Sequence, residues 1–454
     1  MSSVRQQHSS TIEQVKSIQE NSEKSPPSFT SPAQPALNRS QGAYSAFRFG
    51  DFRLLLIGLF IASLGEQMIN VAIGWELYER TGSALVLGGV GLVMVIPIML
   101  LSLPAGHLTD RFNRKAIVIV SQVLSALGCV GLTVLSYTAG SLVLIYGCLL
   151  LIGVAVAFSS PATSTLLPQT VPEDVFQNAA TWSSSASQLA SVVGPALGGF
   201  VIAISGRATP VYAINAGVAL VFAVLIVPLR GRQRAIPLSE QTTLASLLEG
   251  MRFLRGTQVI LAAITLDMFA VLLGGATTLL PIYAKDILRV GPVGLGWLRA
   301  APSVGALSMS ICIAHAPSFK KAGRTLLWAV AGFGAATIVF GISHSFWLSL
   351  LMLLIMGGLD NISVVIRHTL VLMRTPDAML GRISSVNSLF IAISNELGGF
   401  ESGLAAQLFG PIIAVAGGGV GTILVVLCVA LLWPEMRRLR TLGEPKVEDS
   451  GRLI

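Results

Sequence analysis

Stretches of about twenty apolar residues, nearly free of charge, recur twelve times along this chain, and they decide what it can fold into. About twenty apolar residues in helical form cross a bilayer core of about 30 Å. The stretches lie near 52–78, 84–105, 116–137, 142–164, 179–205 and 210–229, then near 257–283, 292–314, 325–343, 346–371, 382–408 and 411–433. Six spans, a linker and six more make a pseudo-repeat, and parallel halves of this kind are a known transporter architecture. The expected fold is an all-α membrane protein: twelve transmembrane helices in two pseudo-symmetric six-helix bundles, 48–229 and 257–433.

Composition excludes the other broad classes. Of 454 residues, 53% are hydrophobic and 11% charged, less than half the usual charged share of about 25%. A soluble multidomain chain or a wholly disordered one does not look like this. The net charge of +8 raises nucleic acid as a partner, so the placement of the basic residues matters. With the N-terminus inside, the tails, the linker and the even-to-odd loops hold nearly all of them. The linker, 230–256, carries Arg230, Arg232, Arg234, Arg252 and Arg255, whereas the opposite side retains Arg80, Arg207, Lys285 and Arg289. This positive-inside bias predicts a multi-pass inner-membrane protein with both termini cytoplasmic, and it explains the charge without nucleic acid.

Residues 1–47 are rich in Ser, Gln, Pro and Asn and contain no apolar core. They read as a disordered cytoplasmic tail and not as a signal peptide. The charged segment 434–454 is a second cytoplasmic tail, and 244–255 in the linker has the pattern of a short amphipathic helix. Cys129, Cys148, Cys312 and Cys428 all lie in apolar runs without CxxC spacing, which predicts buried thiols and neither disulfides nor zinc. No Gly-Lys dipeptide occurs, so the phosphate-cradling loop of an ATPase is absent. No nucleophile–base pair or metal set stands out either. The reading is of a non-enzyme without cofactor, driven by an ion gradient or by the gradient of its own substrate.

Charges inside the spans are the most informative residues. At about 1.5 Å per residue, Glu66, Asp267 and Glu396 fall near mid-membrane, with Asp360 nearer the cytoplasm. Glu401 and Arg299 fall nearer the outside, while Arg367 and His368 are close enough to the cytoplasmic surface to snorkel. A charge facing lipid costs at least about 2.5–3.5 kcal/mol, so these groups face the protein interior or water. Ser63, Glu66, Gln67, Asn70 and Gly74 share one stripe, and Ser388, Asn395 and Ser402 share another beside Glu396. Five acids against two arginines is an imbalance expected of carboxylates that carry a proton part of the time. Glu66, Asp267, Glu396, Asp360, Asn70 and Asn395 are therefore candidates for proton coupling or substrate binding. Structural pairing is the alternative, Arg299 with Glu401 and Arg367 with Asp360. Trp75, Glu76, Tyr78, Glu79 and Arg80 close the first span as an expected interfacial aromatic anchor.

Between the second and third spans stands Gly106-His107-Leu108-Thr109-Asp110-Arg111-Phe112-Asn113-Arg114-Lys115. Gly106 is expected to end a helix, and Asn113 to fill a left-handed position in a tight turn. The stretch resembles the G-x-L-x-D-R-x-G-R-K signature of the major facilitator superfamily, with Asn113 in place of the usual Gly. A degenerate copy, Ser318-Phe319-Lys320-Lys321-Ala322-Gly323-Arg324, lacks the Asp. The resemblance runs over about 47–435. It is closest to the branch of enterobactin exporters and related secretion carriers, through Ser246-Leu247-Leu248-Glu249-Gly250-Met251-Arg252-Phe253-Leu254 and Thr375-Pro376-Asp377-Ala378-Met379-Leu380-Gly381-Arg382-Ile383.

The resemblance implies alternating access. It implies that Gly106, Asp110, Arg111, Arg114 and Lys115 form a cytoplasmic latch, Asp110 meeting the start of helix 11 near Arg382, where the helix dipole favours an anion. It also implies a central cavity lined by helices 1, 4, 7 and 10, with 8 and 11 flanking, so that Glu66 and Asp267 face each other. In the fifth span, Gly194, Pro195, Gly198 and Gly199 resemble the core of the antiporter motif of drug and metabolite exporters; close helix packing is the plainer reading. The functional expectation is a monomeric, proton-coupled exporter of a siderophore-like small molecule in the lipid bilayer. A multidrug or macrolide-type efflux pump is the alternative, and a non-transporting membrane sensor the alternative of another class.

Overall fold

The computed structural model describes residues 42–229, 249, 251–254, 256–316 and 321–439, apart from the side chains of Ser102, Leu103, Asp110, Asp377, Ala378, Ser385 and Leu389. The expectations for 1–41, for most of the linker and its amphipathic helix, and for 440–454 lie outside the described residues. The long helices all belong to one compact unit, 46–454.

Twelve long helices follow in order among the described residues: α1 Gly50–Thr81, α2 Ala84–Arg111, α3 Arg114–Tyr137, α4 Leu142–Leu166, α5 Glu173–Ser205, α6 Thr209–Ile226, α7 Gln258–Leu273, α8 Gly291–His315, α9 Ala322–Ile342, α10 Phe346–Arg374, α11 Asp377–Phe409 and α12 Pro411–Leu432. A short helix, α13 Pro434–Arg438, closes the described chain. No strand occurs among the described residues. Eleven of the helices are long and apolar enough to cross a membrane. The other long helix, α11, has the length but carries Arg382, Asn387, Asn395, Glu396 and Glu401, which lower its apolar content.

Most helices reach beyond the apolar stretch that announces them, because polar residues continue a helix once it leaves the hydrocarbon. Thus α2 runs through Gly106 to Arg111, and Gly106 does not end it. Asn113 has φ −63° and ψ 110°, and its side chain accepts a hydrogen bond from the Lys115 backbone N–H. It is an ordinary N-cap for α3, not a left-handed turn residue. True left-handed caps stand at Gly82 (φ 60°) after α1 and Gly206 (φ 69°) after α5.

The seventh span departs most from expectation. It breaks after Leu273 and continues as a 3₁₀ turn, Ala276–Leu279, one α-turn, Leu280–Ile282, and a π-turn, Tyr283–Ile287. Gly274 and Gly275 are poor helix formers, and α11 presses against the break. A Cβ built at Gly275 would lie 2.4 Å from Ser402 Oγ and 2.6 Å from the Gly398 carbonyl oxygen.

Packing repeats six helices apart. In the first half α1 packs on α5 and α6, α3 on α4 and α6, and α2 on α4. In the second half α7 packs on α11 and α12, α9 on α10 and α12, and α8 on α10. The halves meet through α2 against α11 and α5 against α8, which are again six apart. These seams are built on glycine, which lets backbones approach closely. A Cβ at Gly88 of α2 would lie 3.1 Å from the Gly399 carbonyl oxygen, and one at Gly199 of α5 would lie 2.3 Å from the Pro292 carbonyl oxygen. Both glycines sit toward the helix ends marked by Ser83 and Gly206. At that same end Tyr78 of α1 donates a hydrogen bond to Asp286, and Lys285 Nζ lies 5.6 Å from the centre of the Tyr78 ring. Tyr78 is 8% exposed, so it joins the halves and is not the lipid-facing anchor expected.

Candidate functional site

A cavity of about 570 Å³ lies inside the first half, between α1, α3, α4 and α6, with α5 at its edge. That is within the range of small-molecule sites, roughly 300–1,000 Å³. Its lining includes nine hydroxyl residues, among them Ser63, Ser121, Ser159, Thr163 and Ser187. Three amides, Asn70, Gln122 and Asn215, and one carboxylate, Glu66, complete the polar wall. Among the described residues no Lys, Arg or His lines it, and Phe222 is its one aromatic ring. Glu66 is exposed into this space and has no hydrogen-bond or ion-pair partner among the described residues. A cationic group reaching it would form a charge-assisted contact with a carboxylate that has no other partner among the described residues.

The α1 stripe thus places Glu66 and Asn70 together as expected. The serines of α3, α4 and α5 were not anticipated. Their signal was present in the runs Ser159-Ser160, Thr163-Ser164-Thr165 and Ser183-Ser184-Ser185, unusual for apolar spans.

Asp267 does not face Glu66 across this cavity. It is 7% exposed and forms an ion pair with Arg367 of α10. Arg367 therefore pairs with α7, and not with Asp360. Seven residues of helix separate Asp360 and Arg367 by about 10 Å along the axis, whereas α7 crosses α10 beside Arg367. Asp267, Asp360 and Ser363 also line a void of about 10 Å³, close to the space of one water molecule. Asp360 has no hydrogen-bond or ion-pair partner among the described residues.

Arg299 of α8 and Glu396 of α11 both point toward the first half, and no ion pair of Arg299 with Glu401 occurs among the described residues. Both groups lie against glycines of the first half. A Cβ at Gly91 of α2 would meet Glu396 Oε2 at 2.5 Å, and one at Gly74 of α1 would meet Arg299 Nη1 at 4.0 Å. Glu401 instead accepts from its neighbour Ser402 Oγ at 3.5 Å. Asn395 is exposed on α11 and lies outside the cavity lining.

The loop motif divides into parts. Lys115 Nζ donates to the carbonyls of Val227 and Leu229 and so caps the end of α6. Arg111 and Asn113 are exposed. The Asp110 side chain lies outside the described residues. Arg382 is the sixth residue of α11, whose first residue is Asp377, and it bonds Glu249 of the linker at 2.6 Å. The α5 glycines pack helices together. Gly194 and Gly198 lie on α1, where added Cβ atoms would meet Gln67 Cβ at 2.6 Å and Met68 Cα at 3.0 Å. Pro195 offers its carbonyl to α8, 2.6 Å from a Cβ built at Gly296. Of the cysteines, Cys129 is buried, whereas Cys312 and Cys428 are exposed on helix surfaces. All four are free.

Residues 41–444 match the family model of transmembrane secretion effectors, a branch of the major facilitator superfamily. The chain belongs to this family. It is 26% identical over 411 residues to the enterobactin exporter EntS of Citrobacter koseri, covering 88% of this chain and 96% of that one. It is 26% identical over 410 residues to the multidrug efflux pump Tap of Mycolicibacterium fortuitum, covering 87% and 98%. Among solved structures, a D-xylose–proton symporter superposes with TM-score 0.67 at 15% identity, over 87% of this chain and all but 1% of that chain (99% covered). A bacterial homologue of the lysosomal transporter Spinster superposes with TM-score 0.63 at 14% identity, over 86% and 97%. These two likenesses show the fold, and the family match makes the protein a multi-pass membrane transporter of the major facilitator type.

Proposed function

We propose that the protein is a proton-driven exporter that works by alternating access in the inner membrane, with both termini cytoplasmic, and that its cargo binds in the Glu66 cavity. The observation that carries this reading is the contrast between the two levels of the molecule. Glycine seams hold the halves together at one end, while a polar cavity with an unpartnered carboxylate occupies the first half. A carrier sealed toward the outside and ready to load cargo has this form. Glu66 is the proposed site where proton and cargo compete. Asp267, Asp360 and Glu396 are the proposed supporting charges, and Asp110 with its basic neighbours the cytoplasmic latch.

Cavity chemistry bears on the cargo. A single carboxylate, no basic residue and one aromatic ring suit an amine-bearing, hydroxyl- or amide-rich molecule. A siderophore-like cargo with acidic or catechol groups would find no cation among the described lining residues and a single ring, Phe222, to stack on. This favours the efflux-pump alternative over the siderophore one. The unpartnered Glu66 also speaks against a non-transporting sensor, which needs no exchangeable proton. The test is efflux of labelled amine and siderophore substrates from proteoliposomes, with and without an imposed pH gradient. Gradient-driven efflux that Glu66→Gln abolishes is expected. Efflux by Glu66→Gln that responds to the gradient as wild type does would remove Glu66 from the mechanism, and absence of any flux would remove the transport reading for the substrates tried.

A further inference from the structure

A second cavity, unrelated to the first, lies on the outer surface of the second half between α9 and α12. It encloses about 640 Å³ and changes character along its length. Leu327, Trp328, Ile423 and Leu427 form its apolar wall. Arg324 from the start of α9 and Arg437 and Arg438 from α13 line its other end. No acidic residue lines it among the described residues. The three arginines are exposed, and none has a hydrogen-bond or ion-pair partner among the described residues.

This gathering of like charges is built into the fold. The α13 turn is held on the start of α9. Met436 is fully buried, and the Gly323 N–H donates to the Leu439 carbonyl at 3.4 Å. Contact is so close that a Cβ at Gly323 would lie 1.8 Å from the Met436 carbonyl oxygen. Docking Met436 inward turns Arg437 and Arg438 outward beside Arg324. Three guanidiniums in one place repel one another unless an anion joins them. Guanidinium forks suit phosphate oxygens, and the apolar wall below suits a hydrocarbon chain.

We propose that this groove is a binding site for an anionic glycerophospholipid, its phosphate among Arg324, Arg437 and Arg438 and an acyl chain along Leu327, Trp328 and Leu427. Charge complementarity selects the anionic headgroup over a zwitterionic one, because a choline or ethanolamine group would bring a cation to three cations. The site ties α9, α12 and α13 of the second half to the lipid of one leaflet, and it is separate from the Glu66 cavity.

Trp328, which is 77% exposed, supplies the reporter. The full-length protein is reconstituted in phosphatidylcholine vesicles containing dibromostearoyl phosphatidylglycerol or dibromostearoyl phosphatidylcholine at equal mole fraction. Because the chain has six tryptophans, the Trp328 signal is taken as the difference between wild type and Trp328→Phe. The anionic lipid is expected to quench that signal at lower mole fraction, by about fivefold for each arginine engaged. In the Arg324→Gln/Arg437→Gln/Arg438→Gln variant the two lipids should quench alike, and high salt should have the same effect on wild type. Equal quenching of wild type by the two lipids overturns the proposal. So does a preference that survives both the triple variant and high salt, or a Trp328 shielded from either lipid, as a second copy of the chain seated on the groove would leave it.

Discussion

Asp267 of α7 and Arg367 of α10 form an ion pair inside the second half, with side chains 9% and 5% exposed respectively. Neither can reach bulk water without the two helices parting. Removing one partner leaves the other buried and uncompensated, which costs about 3–5 kcal/mol. Asp267→Asn and Arg367→Met are each expected to lower thermal stability strongly in detergent. The double variant should recover most of the loss. Additive losses in the double variant would show that the two residues do not act as a pair.

The pairing also explains which parts of the molecule were legible in the sequence. Twelve helices could be read because apolar length and the bilayer thickness are matched physical quantities. The break in α7 left a trace in Gly274-Gly275, but a glycine pair in an apolar span is equally at home in a packed straight helix; the pressure from Ser402 and Gly398 decides it. Partners of the buried charges were not legible. Depth along a helix follows from counting, whereas pairing depends on which helix crosses at that height and how each is rotated. Arg367 therefore went to Asp267, where counting along one helix suggested Asp360. The cavity was half legible. Glu66 and Asn70 announced themselves as polar residues on one stripe of α1, while its serines, each individually tolerable in a membrane helix, mattered only together.

The seams between the halves make a second test. Gly88 of α2 meets the backbone of Gly399 and Phe400, each at 3.1 Å from a built Cβ, and backbone cannot move aside as a flexible side chain can. Gly88→Val should hold α2 and α11 apart at that end. Thiol labelling of a cysteine at Ala84, which is 6% exposed, should then rise several-fold over the same cysteine with Gly88 intact. Unchanged labelling would mean that the seam tolerates a side chain.

Asn113 and Lys115 separate a structural role from a gating one within the same loop. Asn113→Ala removes the N-cap of α3 and should cost about 1 kcal/mol, seen as a small drop in melting temperature with transport preserved. Asp110→Asn keeps the size of the side chain and removes only its charge. If Asp110 forms the proposed latch, that variant should fold and reach the membrane normally while transporting slowly. Wild-type flux in a well-expressed Asp110→Asn protein would assign the whole motif to topology alone.

Glu66 carries the sharpest prediction about cargo. It is the one charged residue among the described residues of the cavity lining, so the charge selectivity of binding should depend on it. A charge-assisted hydrogen bond contributes about 1.5–3 kcal/mol, which corresponds to roughly a tenfold to hundredfold change in affinity. An alkyl amine of a sugar alcohol, such as N-hexylglucamine, should bind wild type more tightly than its neutral amide, N-hexylgluconamide. Glu66→Gln should bring the two ligands to similar affinity, mainly by weakening the amine. Glu66→Asp keeps the charge and should retain part of the preference, which a purely structural role for the side chain would not predict. Isothermal titration on the purified protein measures all three. Equal binding of amine and amide to wild type, or a preference unchanged in Glu66→Gln, would show that the carboxylate does not select the cargo. The hydroxyl and amide wall formed by Ser121, Ser159, Thr163 and Asn215 would then be left to do so.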